Sequence, residues 1–178
     1  HLVPFGEYLP FGDFLRQFGI TQLAEGSQGW AAGAERRLFH LPGSPAILPL
    51  ICYEIVFPGS LGASVDEAGF ILVLTNDAWF DGSMGLAQHF HHARVRAVEE
   101  GKSVVRAANS GISAIVDPMG RIDAMMAEGM VGAIKGTPAQ PLSPTFFAQY
   151  RHWPLVGMLI LGVLLSLPGR RRRLRRLD

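Results

Sequence analysis

The sequence predicts an α/β domain in which helices are layered on a sheet, followed by one membrane helix. Residues 70–75 (FILVLT) form an uninterrupted apolar run of strand length, which suits a strand buried on both faces in the middle of a sheet. Residues 86–100 place apolar side chains near helical spacing and stop at Gly101. Residues 153–167 carry no charge, as a membrane helix requires. Strand, helix, strand and hairpin in this order indicate an α/β layered domain.

The segment that precedes the first clear strand has little regular pattern. Residues 1–10 read as a strand end and a loop, because their prolines and glycine stop either regular element. Residues 11–46 are rich in glycine and lack a sustained period, so a short helix over 13–18 and a loop both stay open. Residues 46–51 form a short apolar run that leads to Cys52, and the proline within it places the first half at a sheet edge or a bulge.

The middle of the chain predicts a helix, a strand and a hairpin besides the elements above. Residues 60–68 suit a short helix, and residues 103–107 read as a strand. Residues 112–116 and 121–125 predict a β-hairpin. The tetrapeptide DPMG that joins them offers a proline, which pre-sets one turn dihedral, and a glycine, which supplies the other.

The C-terminal part is expected to run from the domain into a membrane. Residues 131–135 predict a last strand, and the prolines of residues 138–149 indicate an extended linker. Residues 150–169 could span a membrane with slight mismatch, since Tyr and Trp stand at its start; a helix buried in the core is the alternative. The arginines of residues 170–178 then stay cytoplasmic and leave residues 1–149 on the periplasmic side. A nucleic-acid-binding tail is the weaker interpretation of this charge run.

The composition is that of a globular or membrane-associated protein. Of 178 residues, 48% are apolar and 17% are charged, which excludes a chain that is disordered as a whole. The net charge of +1 identifies no partner. A single cysteine excludes an internal disulfide. The chain opens with His1 in what reads as a strand and has no signal peptide, so we expect upstream sequence that delivers the domain across the membrane.

The single cysteine, Cys52, stands where a predicted strand gives way to a turn. In α/β enzymes this location places a side chain at the carboxyl edge of the sheet, facing a crevice. Attack on a carbonyl requires the thiolate, so a base or a cation must lie close, and backbone amides after the turn could receive the oxyanion. A cysteine after an apolar run is also a common core residue, and the residues alone leave both interpretations open.

Two glutamates are candidates to support this thiol. Glu54 follows Cys52 by two residues, so both side chains would face the same side of an extended segment. A glutamate among apolar neighbours is costly to bury unpaired, and the alternative is an ion pair with one of Arg94, Arg96 or Arg106. Glu7 lies in a loop bounded by prolines, where simple surface exposure is the alternative.

Polar residues and a tryptophan follow the most apolar strand. Asn76 ends that strand and would project into the crevice, while Trp79 could form an apolar wall of a substrate site. A structural turn closed by an Asx hydrogen bond is the alternative for this stretch. His89 and His92 share a helix face, but the sequence offers no third ligand and no zinc motif, so we expect no metal.

Five stretches stand in an order shared with a known family: HLVPFGEYLP, ICYE, TNDAWF, QHFHHARVRAVE and RAANSGISAIVDPMGRI. Together they resemble the carbon–nitrogen hydrolase (nitrilase) superfamily, and within it the bacterial membrane enzymes that acylate lipoproteins. The resemblance runs over nearly the whole chain. It implies a nitrilase-like periplasmic domain of α-β-β-α layers over residues 1–137, whose N-terminal half lies upstream. It also implies that this domain precedes the last helix of a multi-pass inner-membrane protein.

The resemblance also implies an activity. Enzymes of this branch move an acyl chain from a phospholipid to the α-amino group of the diacylglyceryl-cysteine that begins an apolipoprotein. The implied course is ping-pong, because a cysteine first takes the acyl group as a thioester and the lipoprotein amine then attacks it. No metal or diffusible cofactor and no nucleic acid takes part. The implied partners are therefore a phospholipid, an apolipoprotein and the membrane.

The resemblance assigns roles to individual positions. Cys52 matches the nucleophile of a Cys-Tyr-Glu motif, and Glu7 matches a glutamate that supports the active site. Tyr53 and Glu54 match the two positions after the nucleophile, and Trp79 matches a tryptophan that lines the pocket.

One departure from the family's pattern concerns its catalytic base. The glutamate base and the lysine of the family's triad both lie upstream of HLVPFGE, and Lys102 and Lys135 stand in the wrong places to substitute. We therefore expect this chain alone to be inactive and the intact parent protein to be the enzyme. A membrane-tethered amidase that uses water as acceptor is one alternative. A non-catalytic, membrane-anchored remnant is the other.

Overall fold

One mixed β-sheet organises the protein. The computed structural model describes residues 11, 14, 17–18, 33, 35–62 and 64–174, with side chains to residue 166. Within this part of the chain the sheet has five strands in the order β1-β2-β3-β4-β5. They are β1 (Ile47–Ile51), β2 (Phe70–Asn76), β3 (Ser103–Asn109), β4 (Ser113–Val116) and β5 (Ile122–Met126). The α/β class predicted from the sequence is confirmed.

The strand directions bring three strand ends to one edge. β1, β2 and β3 are parallel, whereas β4 and β5 return as an antiparallel hairpin. The carboxyl ends of the three parallel strands therefore meet at the same edge of the sheet, where α/β proteins place their binding crevice. In the described ranges four α-helices accompany the sheet: α1 (Ser64–Glu67), α2 (Gly85–Glu100), α3 (Phe146–Tyr150) and α4 (Trp153–Leu174).

The hydrophobic core lies between one face of the sheet and helix α2. Alternate residues of the parallel strands point into it, and α2 contributes residues spaced three and four apart. The cluster is formed mainly by Leu48, Leu50, Ile71, Val73, Val104, Phe90, Ala93 and Ala97. On the opposite face, the paired residues Ile51 and Leu74 keep 58% and 43% of their surface exposed. At these two positions that face is apolar and is not covered by the described part of the chain.

The strongest sequence signals predicted their elements well. The expected helix over residues 86–100 is α2, and Gly101 ends it with a left-handed φ of 64°. The expected hairpin is β4 and β5, and its turn is held by Asp117, whose carboxylate accepts hydrogen bonds from the N–H groups of Met119 and Arg121. The proline of the first strand predicted an edge position, and β1 is an outer strand of the described sheet.

Two predictions from weaker sequence signals are wrong. Residues 131–135 form no strand, and the helix expected over 60–68 shrinks to the single turn of α1. The helix considered over 13–18 falls largely outside the described residues. Helix α4 covers most of the region expected to cross a membrane, over residues 150–169. None of the helices among the described residues, however, combines the length and the apolar character that a membrane span needs.

An ion pair joins the C-terminal helices to the end of α2. Arg151, between α3 and α4, has φ 50° and ψ −123°, a backbone region that favours glycine. Its Nη1 donates to both carboxylate oxygens of the buried Glu100, at 2.6 and 2.8 Å. The guanidinium also lies 6.0 Å from the centre of the Phe147 ring. This ion pair ties the junction of α3 and α4 to the end of α2.

A buried polar cluster stands beneath the carboxyl edge of the sheet. Asp77 directly follows β2, and its side chain is fully buried. One carboxylate oxygen accepts from Thr75 Oγ1 and lies next to His89 Nδ1, both at 2.9 Å. The other oxygen accepts from Arg106 Nη2 at 2.6 Å. Burial raises the pKa of Asp77, but the hydrogen bonds with His89 and Arg106 outweigh it and lower the pKa to about 2.

We predict that Asp77→Asn destabilises the protein and flattens its acid response. The substitution leaves Arg106 buried without its counter-charge, which lowers the free energy of unfolding by about 3 kcal/mol at neutral pH. Because the pKa of Asp77 falls from 3.8 to about 2 on folding, this group stabilises the folded state above pH 4. About 2 kcal/mol of that stability disappears as the pH falls towards 2.

Urea unfolding at several pH values between 2.5 and 7 measures both effects. The exposed carboxylate Asp123 offers a matched control, since Asp123→Asn removes the same charge without a buried partner. Equal stability losses in the two variants, or an unchanged acid slope in Asp77→Asn, would show that the cluster has no such role.

Candidate active site

The carboxyl edge of the sheet gathers the candidate residues that the structure describes. Cys52 follows β1, and Asn76 ends β2. Asn109 ends β3 and is the register partner of Asn76, to whose Oδ1 its side-chain nitrogen donates at 3.3 Å. The structure therefore brings the predicted positions at 52, 76 and 79 to one edge of one sheet.

Cys52 begins a short 3-10 helix, Cys52–Val56, which we call the Cys52 turn. The preceding Ile51 is extended, with φ −104° and ψ 120°, but Cys52 itself has φ 50°. A residue other than glycine in this left-handed region costs about 1–3 kcal/mol and persists only where its surroundings enforce it. The thiol is half-buried and is not part of the hydrophobic core cluster. A sharp, strained strand-to-helix turn of this kind presents a nucleophile at the edge of an α/β sheet.

Glu54 binds the backbone at the start of the Cys52 turn. Its Oε2 accepts a hydrogen bond from the N–H of Ile51 at 2.8 Å, and its Oε1 accepts from Arg36 Nη2 at 3.2 Å. Burial raises the pKa of Glu54, but the Ile51 amide and the charge of Arg36 contribute to a net pKa below the usual value. The carboxylate is thus an ionised structural anchor for the turn.

The structure corrects two expectations about Glu54. The segment after Cys52 is helical and not extended, so an extended spacing does not place the two side chains on one side. An ion pair does form, but its partner is Arg36 and none of the three arginines considered from the sequence. Those three instead bind Gly120, the Cys52 turn and Asp77, through Arg94, Arg96 and Arg106 respectively.

Tyr53 packs against the buried cluster. Its ring centre lies 6.0 Å from that of His89 and 5.8 Å from that of Phe57, the latter in an edge-to-face arrangement. Since His89 also contacts Asp77, the residue after Cys52 is linked to the polar cluster beneath the edge. Tyr53 is half-buried, and its ring helps to define where the Cys52 turn lies on the domain.

Trp79 lies on the surface beside this edge. It belongs to a second 3-10 helix, Asp77–Phe80, whose start is capped by Asn76, because Asn76 Oδ1 accepts from the N–H of Ala78 at 3.2 Å. The Asx turn that the sequence offered as an alternative therefore exists. The next residue, Phe80, packs on His89 with ring centres 5.4 Å apart. Trp79 itself keeps 82% of its surface exposed, which leaves a large apolar side chain free to contact a substrate.

Two further expectations concern Glu7 and a metal site. Glu7 lies outside the residues that the structure describes. Within the described ranges, no group of three or more His, Cys, Asp or Glu side chains could hold a metal ion. His89, one of the two histidines weighed as ligands, instead lies against Asp77.

Sequence reasoning missed the buried charged residues that organise the edge. The pattern predicts a site role for Asn76, whereas the neighbouring Asp77 is the residue that is buried. Two signals could have found its partners. His89 lies four residues before Ala93 and eight before Ala97 in α2, so helical spacing places it on the buried face of that helix. Arg106 alternates with Val104 along β3 and so points to the same buried face.

The sequence is similar to that of known proteins over most of its length. A sequence model of the carbon–nitrogen hydrolase family matches residues 1–134. A protein named apolipoprotein N-acyltransferase from Bradyrhizobium diazoefficiens is 43% identical over 96% of this chain and 32% of its own length. A protein of the same name from Rhizobium leguminosarum is 46% identical over 95% of this chain and 32% of its own length. The chain spans about a third of the length of these curated relatives.

Solved structures show the same fold. An amidase from a Nesterenkonia species superposes with a TM-score of 0.52 at 21% identity, over 76% of this chain and 52% of that one. A mutant of the Nesterenkonia sp. AN1 amidase, with acrylamide added to its active-site cysteine, gives a TM-score of 0.51 at 20% identity, over 76% and 53%. At this level of identity the likeness concerns the fold alone. With the family match extending over residues 1–134, the chain belongs to the carbon–nitrogen hydrolase family.

Proposed function

We propose that this chain is the C-terminal part of an apolipoprotein N-acyltransferase. The intact protein would transfer an acyl chain from a phospholipid to the N-terminal amine of a diacylglyceryl-cysteine lipoprotein. The observation that carries the proposal is the strained turn that presents the half-buried Cys52 at the carboxyl edge of the sheet. Relatives bearing this enzyme name, similar over nearly the whole chain, supply the choice of reaction within the family.

The proposed reaction has two balanced steps. The base takes the proton of the Cys52 thiol and the thiolate attacks the ester carbonyl of the phospholipid; a C–S bond forms, the ester C–O bond breaks, and the lysophospholipid leaves with the proton that the base returns. The lipoprotein amine then attacks the thioester carbonyl, an amide forms, and Cys52 leaves as a thiolate when the C–S bond breaks. The base takes the proton of the amine and returns it to the thiolate. Neither step needs a metal or a diffusible cofactor.

Each predicted site residue has a place in this scheme. Glu54 holds the start of the Cys52 turn through the amide of Ile51. Asn76 caps the 3-10 helix Asp77–Phe80, and the exposed Trp79 within it contacts the acyl chain of the donor. Glu7 supports the active site from its Pro-Phe-Gly-Glu motif, and Tyr53 orients the turn from below.

The rest of the enzyme would lie outside this chain. The catalytic glutamate base and the lysine belong to that part, so the chain alone would not turn over. The open apolar face at Ile51 and Leu74 supports a further sheet layer packed against it, as the α-β-β-α arrangement of this domain requires. Such a face would be unfavourable in water if nothing covered it.

The proposed substrates determine where the enzyme works. The phospholipid donor and the lipoprotein acceptor are both held in a bilayer by their acyl chains, so the intact protein would act at the bacterial inner membrane. In this arrangement the domain over residues 1–137 faces the periplasm and the arginine-rich residues 170–178 face the cytoplasm, joined through the proline-rich residues 138–149.

A covalent adduct on Cys52 is the first prediction of the proposal. The full-length protein incubated with phospholipid should gain one acyl mass on the peptide that contains Cys52, detected by mass spectrometry. Cys52→Ala should abolish the adduct, because no other side chain of the turn can form a thioester. Wild-type protein that binds phospholipid yet never carries an acyl group at Cys52 would rule out the proposed step.

The same preparation distinguishes transfer from hydrolysis. Addition of a diacylated lipopeptide should convert the acyl-enzyme into N-acylated lipopeptide faster than free fatty acid appears. If free fatty acid is instead the main product, water is the acceptor and the protein is a membrane-associated hydrolase of the same family.

Trp79→Ala should impair loading without weakening the fold. Because the side chain is 82% exposed, the free energy of unfolding should change by no more than about 0.5 kcal/mol. Loss of an apolar contact worth about 1.4 kcal/mol would reduce kcat/KM for phospholipid about tenfold. Met119→Ala is the matched control, since Met119 is an exposed apolar residue at the opposite edge of the sheet. Similar kinetics for both variants would remove Trp79 from the substrate site.

A further inference from the structure

A buried arginine from helix α2 reaches the end of the Cys52 turn. Arg96 is 2% exposed, and its Nε donates to the backbone carbonyl of Ile55 at 3.1 Å. Its Nη2 lies 3.5 Å from the carbonyl oxygen of Val56. Its Nη1 forms an ion pair with Glu99, one turn further along the helix. The chemistry proposed above makes no use of this charge.

The contact satisfies groups that the turn itself cannot satisfy. The last carbonyls of a short helix have no partner within it, and the chain becomes extended at Phe57, so the turn stops at Val56. Ile55 is fully buried, which keeps water away from its carbonyl. A charged guanidinium with two suitably placed donors makes stronger hydrogen bonds to such carbonyls than a neutral group would.

The position of this charge is costly for the fold. Neighbouring residues on the same face of α2, Ala93 and Ala97, are apolar and fully buried. A long apolar side chain at position 96 would fill the same space without the cost of desolvating a charge. The protein instead buries an arginine and supplies Glu99 to pair with it. The advantage of arginine over an apolar residue at position 96 is its two contacts with the Cys52 turn.

The turn is therefore held from both ends. Glu54 binds the amide of Ile51, just before Cys52, and Arg96 binds the carbonyls of the last two residues. Between these two anchors stands the left-handed Cys52. A strained conformation of this kind persists only when its surroundings enforce it, and the two anchors supply that enforcement.

We propose that Arg96 is a positioning residue that keeps the Cys52 turn in its strained conformation. This inference rests on the proposed role of Cys52 as nucleophile. When the guanidinium is removed, the far end of the turn is released, Cys52 relaxes towards negative φ, and the thiol moves away from the base that activates it. A displacement of about 1 Å at a reacting atom can slow a reaction about a hundredfold.

The test uses the full-length protein with three substitutions. Arg96→Met removes the charge and the donors but keeps an unbranched chain, and Arg96→Lys restores the charge with a single donor group. Arg94→Met is the matched control, because Arg94 lies on the same helix and donates to the carbonyl of Gly120 at 2.9 Å, in the hairpin turn and not in the Cys52 turn. Thermal unfolding of each variant separates loss of stability from loss of position.

Alkylation of Cys52 by iodoacetamide, followed on its peptide by mass spectrometry, reports the state of the thiol without any acyl transfer. We expect Arg96→Met to slow alkylation at least about fivefold at pH 7.5, and kcat for acyl loading to fall about a hundredfold with KM little changed. Arg96→Lys should recover part of both losses. Arg94→Met should leave both rates at the wild-type level.

The outcomes are separable from those of the proposed function. Wild-type alkylation and loading rates in a folded Arg96→Met protein would overturn the inference, and so would equal losses in Arg94→Met. If Arg96→Met does not fold, the comparison of Arg96→Lys with Arg94→Met decides. Absence of any acyl adduct in the wild-type protein would overturn the acyltransferase proposal, while the alkylation rates would still judge Arg96.

Discussion

The left-handed backbone of Cys52 is the constraint on which the rest of the site depends. In a strand, successive side chains point to opposite faces of the sheet. A strand that continued past Ile51 would therefore place the thiol on one of the two faces. The change to a positive φ instead ends the strand at once and leaves the side chain at the sheet edge. The carboxylate of Glu54 and the guanidinium of Arg96 both contact this turn, so buried charges are arranged around one unfavourable dihedral.

The neighbouring strand ends in a comparable way. After β2 the chain buries Asp77 and at the same time exposes Trp79, two residues later. The Asp77 carboxylate connects the strand to helix α2 through His89 and to β3 through Arg106. The exposed tryptophan therefore stands on a rigid base. Side chains whose supporting residues are buried and hydrogen-bonded keep a defined position on a domain.

The sequence allowed confident prediction where local patterns were strong. The apolar run of β2, the helical spacing and terminal glycine of α2 and the proline–glycine turn of the hairpin each specify their element locally. The position of Cys52 followed from the end of an apolar strand. The pairing of Glu54 with Arg36 did not, because the two residues lie 18 positions apart and nothing in the intervening pattern selects one arginine over another. Residues 131–135 form no strand although β5 is an outer strand of the described sheet, and Gly132 within them weakens a strand.

The backbone conformation of Arg151 and its ion pair with Glu100 together restrict which residues this position tolerates. Glycine would relieve the unfavourable dihedrals, but it would abandon a buried carboxylate at Glu100. Lysine would keep the charge and could still reach the carboxylate, but it would leave the unfavourable dihedrals unrelieved. Neither simple replacement satisfies backbone and carboxylate together, so substitution at 151 should be accompanied by a change at 100. We then expect divergent homologues to change at these two positions together. Homologues that share one pair of residues should also share the angle of helix α4.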